Sequence, residues 1–289
     1  MKKKVYLRCS SLGNIFVDEK GIVFSEKDSE RIKELKYELE NGINKNGNKI
    51  KWTPTKADEL KNLVEKRDKK PELSKTAKSE IKKIWLMNEK GYYDELDNKY
   101  LTKGLLNEEN GLDMVSEIEG EFYVKNSERR EILLFENDEI EIWLTGEPDW
   151  FDEVNKRLKD IKCSWDAQTF MNAKFSNLYE CQLQGYAVLF DVLTLELHYC
   201  LTDSPSHLVE NEIWKAKNRY GIIDPDDEMF IPIKEQIMRN LVYSTNPNYS
   251  LEEMVKTYVV EKDPNFKDAL IEKAKLVAEY YQSIKLNQL

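Results

Sequence analysis

Apolar positions recur at three- and four-residue spacing over Ser29 to Leu39, Lys56 to Glu65 and Ser74 to Asn88, which predicts three helices in the first third of the chain. The Asn-, Gly- and Lys-rich stretch from Asn41 to Lys51 predicts an exposed turn or loop after the first of them. A further helix places Leu101, Leu105, Leu112 and Val115 within one apolar stripe. Between Glu131 and Lys162 the period changes to two. Ile132 to Phe135 is an apolar run, Asn137-Asp138 is a turn signal, and Ile140, Ile142 and Leu144 alternate with Glu139, Glu141 and Trp143, the pattern of a hairpin. A third strand is expected from Val154 to Cys163. Asn177 offers a cap for a helix over Leu178 to Phe190, and Leu195 to Leu201 reads as another strand, ended by Thr202-Asp203-Ser204-Pro205. Beyond Leu208 the chain reads as mostly helical, with an amphipathic helix near Phe266 to Ile284. Helix, three strands, helix, strand, with helical segments on both sides, predicts an α/β or α+β domain. No repeat, low-complexity tract or linker divides the sequence, so residues 1–289 are expected to form one domain, with a core at about 95–205, a helical N-terminal part at 1–94 and a helical C-terminal part at 206–289.

Composition changes this picture little. The chain has 289 residues, 40% of them hydrophobic and 11% aromatic, enough for a substantial core. No stretch approaches the roughly 20 apolar residues of a membrane span, and no long apolar signal region follows Met1-Lys2-Lys3-Lys4, so a cytoplasmic protein without membrane contact is expected. Cys9, Cys163, Cys181 and Cys200 lack C-x-x-C spacing, which signals neither a zinc ribbon nor a disulfide framework. The net charge of −10 argues against an indiscriminate polyanion binder. Charge distribution matters more than the sum. Lys56 to Lys83 holds ten Lys or Arg against six Asp or Glu, either a solvated helix surface or a face for DNA.

Three acidic elements then deserve weighing together. Glu108 falls in the middle of the stripe that Leu101, Leu105, Leu112 and Val115 define, while Glu109 lies to its side; a carboxylate facing a core needs a cation or metal, unless Gly111 breaks the helix and leaves Glu108 in water. In Thr145-Gly146-Glu147-Pro148-Asp149 the proline ends ladder pairing and the glycine permits a bend, so Asp149 sits where a strand rim meets a turn; taken alone, this is ordinary turn chemistry. In Asp160-Ile161-Lys162 the outer two residues share a strand face with Leu158, while Ile161 and Cys163 face the other way; alone, the pair reads equally as a salt bridge. Together, three carboxylates and a lysine at the rim of one sheet make a hard, oxygen-rich site suited to magnesium or manganese. Only two histidines, His198 and His207, are present, and no Ser-His-Asp arrangement competes.

These residues resemble a known superfamily, the PD-(D/E)XK nucleases. Gly104-Leu105-Leu106-Asn107-Glu108 resembles the G-x-x-x-E motif of RecB-like and lambda-exonuclease-like nucleases, Gly146-Glu147-Pro148-Asp149 their G-x-P-D, Asp160-Ile161-Lys162 their (D/E)-x-K, and Gln182-Leu183-Gln184-Gly185-Tyr186 their Q-x-x-x-Y. The order of the four is the family order. The resemblance is clear from Lys99 to Pro205 and looser outside, where Ser10-Ser11-Leu12 resembles the start of many RecB-like domains; the nearest in character are phage recombination exonucleases of the YqaJ or lambda-exonuclease kind. It implies a mixed central sheet flanked by helices, with additional N- and C-terminal helices. It also implies Mg2+, or Mn2+ in its place, held by Glu108, Asp149, Asp160 and the carbonyl of Ile161, with Lys162 acting on the attacking water. Tyr179, Gln182 and Tyr186 form one helical face that could meet DNA. Asp160 stands where many relatives have Glu, and no cysteine trio follows Cys200, so no iron–sulfur cluster is expected. The implied activity is a metal-dependent exonuclease on double-stranded DNA ends. An endonuclease of restriction or repair type and an inactive DNA-binding module of the same fold are the alternatives. By analogy, a homo-oligomer and a single-strand annealing protein are the expected assembly and partner. No G-x-x-x-x-G-K-[ST] sequence is present, so no P-loop motor is expected in the chain.

Overall fold

In a computed structural model, which describes residues 2–17, 26–68, 72–93, 98–222, 224 and 227–285 (the side chains of 26–28 and 66–68 excepted), the period-two segments pair into two sheets. The first is built from β1 (Lys3–Arg8), β2 (Arg130–Glu136) and β3 (Ile140–Gly146), with β3 between a parallel β1 and an antiparallel β2. The second contains β4 (Trp150–Asp152), β5 (Arg157–Cys163), β6 (Thr194–Cys200) and β7 (Val255–Glu261) in that spatial order. There β5 and β6 are parallel, and the outer strands run antiparallel to them. The hairpin turn falls at Asn137, whose side-chain carbonyl accepts the N–H groups of Glu139 and Ile140.

Ten helices lie among the described residues: α1 (Leu12–Phe16), α2 (Glu26–Asn41), α3 (Pro54–Asp68), α4 (Lys75–Lys90), α5 (Lys99–Glu119), α6 (Ala167–Asn172), α7 (Asn177–Phe190), α8 (Ser206–Tyr220), α9 (Ile231–Leu241) and α10 (Phe266–Ser283). α7, backed by α1 and α10, covers one face of the strands and builds the main core with Val5, Leu144, Leu158, Leu183 and Leu195. α5 covers β5 from the other side, where Leu112, Val115 and Tyr123 meet Ile161 and Cys200. The strand alternation read for β5 holds: Leu158 belongs to the α7 side and Ile161 to the α5 side.

The mixed α/β architecture is the predicted one, with four corrections. β1 and β7 fall in the parts read as helical. Only Val5 and Leu7 are buried in β1, and none of β7 is fully buried, so neither carries a long enough alternation to announce itself. β4 forms a hairpin with β5, so β5 begins at Arg157 rather than Val154. Ser176, not Asn177, occupies the cap position of α7. In α5, Leu101 and Leu105 are 46% and 68% exposed; the face turned inward carries Lys103, Asn107, Gly111, Leu112 and Val115. Gly111 does not break the helix, and a Cβ there would lie 2.5 Å from Ile161 Cγ2, so the glycine permits α5 to approach β5 closely. The Lys56 to Lys83 stretch forms α3 and much of α4, with Lys56 paired to Glu38; Met1 and residues 69–71 lie outside the described residues.

On the α5 side of β5, the fully buried Lys159 ammonium lies 2.8 Å from Glu119 and 2.5 Å from Glu196. Glu119, Glu196 and His198 bring potential metal-ligand atoms within 4.8 Å of one another, but the lysine already supplies the cation there. Burial alone would raise Glu196, yet its bonds with His198, Lys159 and Arg157 hold it down at about 2. Lys159→Ala, which leaves a buried carboxylate without its partner, is expected to destabilise the fold by about 3–5 kcal/mol in chemical denaturation. A loss below about 1 kcal/mol would show that Arg157 and His198 compensate.

Candidate active site

Four parts of the fold, β5, α7, the β3–β4 bend and α5, bring the motif residues together beside the end of β5. β5 turns Asp160 and Lys162 toward α7, and the Lys162 ammonium lies 2.6 Å from Asp160 Oδ2. The other Asp160 oxygen, Oδ1, accepts a 3.2 Å bond from the Gln182 side-chain amide, which also donates to the Tyr186 hydroxyl at 3.0 Å. Gln182 and Tyr186 are therefore buried behind Asp160 rather than displayed on an open helical face. Tyr179, one turn earlier on α7, is half-buried, with Lys162 Nζ 5.6 Å from its ring centroid.

Asp149 lies in the bend between β3 and β4, where Gly146 is required by packing. A Cβ at Gly146 would lie 2.6 Å from Cys9 Sγ and 2.8 Å from the Tyr186 ring. Asp149 Oδ2 accepts the Ile161 N–H at 2.6 Å, replacing a ladder partner that β4, which begins at Trp150 opposite Lys159, does not reach. Because the N–H and C=O of one strand residue point to the same side, the Ile161 carbonyl is directed toward the same acidic neighbourhood.

Glu108 arrives from α5. It is partly exposed, and its Oε2 accepts a 2.8 Å bond from Lys125 Nζ. Lys125 belongs to the irregular segment between α5 and β2 and was not singled out from the sequence. The neighbouring Asn126 fixes that segment: its backbone N–H donates to the Asp149 carbonyl at 2.7 Å and its side chain to the Pro148 carbonyl at 3.0 Å. No periodicity marks these residues in the sequence.

The electrostatics are those of a crowded acidic cluster. Burial, and then the Asp160 charge, push Asp149 up to about 7, against the opposing effects of Lys162 and the Ile161 N–H. Burial disfavours the Lys162 ammonium, but Asp160 and Asp149 outweigh that and hold it above its ordinary value. Lys125 behaves in the same way: burial lowers it, Glu108 and then Asp149 raise it further, and the net direction is up. Three carboxylates thus share two ammonium groups. A further cation would favour the ionised form of Asp149 that burial and the Asp160 charge disfavour, and an all-oxygen donor set suits a hard divalent ion.

Glu108, Ile161, Lys162, Tyr179 and, from its buried position, Gln182 line a cleft of about 720 Å³, whose walls include Tyr100, Leu101, Leu105 and Trp165. Leu101 and Leu105 form an apolar wall of this cleft, which explains why that end of the stripe is not buried. Gly104 also lines it, with nothing within 4 Å of where a Cβ would sit. Gly104→Ala is expected to raise thermal stability slightly, by about 0.5–1 kcal/mol, because glycine costs that much inside a helix; a fall in stability would show that the position is packed after all.

No protein-family model matches the chain, and no curated protein matches it. Among solved structures, a phage-related exonuclease from Haemophilus somnus 129PT is similar at a TM-score of 0.55 and 23% identity, over 97% of this chain and 93% of that one. The alkaline exonuclease LHK-Exo from Laribacter hongkongensis gives a TM-score of 0.42 at 11% identity, over 73% of this chain and 79% of that one. Its complex with dAMP gives 0.44 at 13%, over 72% and 82%. The first likeness, which spans almost the whole of both chains, shows that this chain has the fold of a phage-related exonuclease, the fold its motifs implied.

Proposed function

We propose that this chain, acting as a single nuclease domain, is a divalent-metal-dependent deoxyribonuclease that hydrolyses phosphodiester bonds from DNA ends. The observation that carries this reading is the convergence of Asp149, Asp160 and Lys162, within hydrogen-bonding or ion-pair distance of one another or of the β5 backbone, beside Glu108 at an open cleft. Glu108, Asp149, Asp160 and the Ile161 carbonyl would hold Mg2+ or Mn2+. When bound, such an ion lowers the pKa of a water and stabilises charge developing on a phosphate.

The chain's own residues do the rest. Lys162, kept protonated by Asp160 and Asp149, orients the attacking water and neutralises negative charge on the phosphate. Gln182 fixes the rotamer of Asp160, and Tyr186 fixes Gln182, so both act as positioning residues. Tyr179, on the cleft wall beside Lys162, offers a ring face to a base or sugar. The test is digestion of end-labelled linear duplex and of closed circular DNA, each with Mg2+ and with a chelator, beside Asp160→Ala. Loss of linear DNA alone, only with metal and only with the unmodified protein, is the expected result. Cleavage of the circle would make the enzyme an endonuclease, and binding without cleavage of either would remove the catalytic reading.

A further inference from the structure

The three carboxylates are not equally secured. Asp149 is tied to the β5 backbone through the Ile161 N–H, and Asp160 is held on one oxygen by Gln182 and on the other by Lys162. Glu108 is the longest of the three and the most exposed, and its Oε2 is paired with Lys125 at 2.8 Å. Glu108 also lines the cleft. Lys125 is itself placed by Asn126, which bonds the carbonyls of both Pro148 and Asp149 and receives the Glu128 N–H on its side-chain oxygen. The segment therefore links the helix that carries Glu108 to the bend that carries Asp149.

We infer that Lys125 is a positioning residue for Glu108: clamped by Asn126 to the Pro148-Asp149 bend, it holds one carboxylate oxygen so that the other is presented to a divalent ion. The inference rests on the metal-dependent reading of this site. A competing physical effect has the opposite sign. Lys125 is a positive charge beside the ion's place, so a lysine that merely competed with the ion for Glu108 would weaken metal binding, and its removal would tighten it. Orientation predominates where a freed Glu108 must give up several side-chain rotamers to bind, and loss of an outer partner to a metal ligand commonly costs about 10–100-fold in affinity.

The experiment is Mn2+ titration of the full chain without DNA, followed by calorimetry, for the unmodified protein, Lys125→Ala, Lys125→Arg, Asn126→Ala and Glu108→Ala. Weakening by about tenfold in Lys125→Ala, retention within about twofold in Lys125→Arg, and weakening in Asn126→Ala with Lys125 still present are expected. Because Lys125 is a third exposed, its removal should leave the metal-free melting temperature within about 2 °C, so a binding loss cannot be ascribed to unfolding. Unchanged or tighter binding in Lys125→Ala overturns the positioning role. If instead Glu108→Ala binds Mn2+ as the unmodified protein does, the metal site itself is misassigned, a failure distinct from that of Lys125.

Discussion

Lys162→Ala is expected to lower the rate of DNA hydrolysis by about 10²–10⁴-fold while leaving a folded protein, as read from a single-turnover digestion assay beside a thermal melt. Lys162 lies at the end of a strand, is partly open to the cleft, and makes its 2.6 Å contact with a carboxylate that would also face the ion. Its removal therefore takes away the ammonium group proposed to orient the attacking water, without opening a cavity in either core cluster. In the presence of Mg2+ the Asp160 charge keeps a cationic partner, so the melting temperature should fall by only a few degrees. A rate within about threefold of the unmodified enzyme would remove Lys162 from the chemistry and leave it a structural counter-ion.

The second large effect concerns Asp149 and pH. Burial and the nearby Asp160 raise it from the ordinary carboxylate value to about 7. The folded, metal-free protein therefore binds a proton more tightly than the unfolded chain does. Its stabilising contribution is present below about pH 4, declines as pH rises through the interval to about 7, and is absent above that. A divalent ion needs the ionised form, so metal binding must displace a proton below pH 7 and should weaken by about tenfold per pH unit there. Asp149→Asn keeps an oxygen for the Ile161 N–H but removes the charge. At pH 8 without metal it is expected to be more stable than the unmodified protein by about 1–3 kcal/mol, and to lack the upward shift in melting temperature expected of the unmodified protein on adding Mg2+. Should the variant prove less stable at pH 8 in the absence of metal, burial and the Asp160 charge do not disfavour an ionised Asp149.

Much of the arrangement was legible because it depends on period and local chemistry. The β2–β3 hairpin announced itself by alternation around Asn137-Asp138. The strand that carries Asp160 and Lys162 followed from period two, which alone puts both on one face. α4, with Ser74 as its cap, and α10 follow from apolar spacing of three and four. β1 and β7 were not legible, because what makes them strands is β3 and β6 beside them. The α5 stripe was read correctly as apolar, and correctly as buried at Leu112 and Val115 but not at Leu101 and Leu105. Periodicity reports that a helix has an apolar side, but whether that side meets a core or a cleft is decided by what packs opposite it.

The sequence by itself determined the identity and order of Glu108, Asp149, Asp160, Lys162, Gln182 and Tyr186, and the strand and helix periods that set which of them share a face. Only the tertiary structure decided that Gln182 and Tyr186 lie behind Asp160, that the Ile161 N–H belongs to Asp149, and that Lys125, seventeen residues beyond Glu108, closes on it through Asn126. The reason is one of range. A repeating pattern records contacts within one element, whereas a hydrogen bond between residues far apart in the chain exists only once burial has brought their elements together and left their polar groups no water to bond instead.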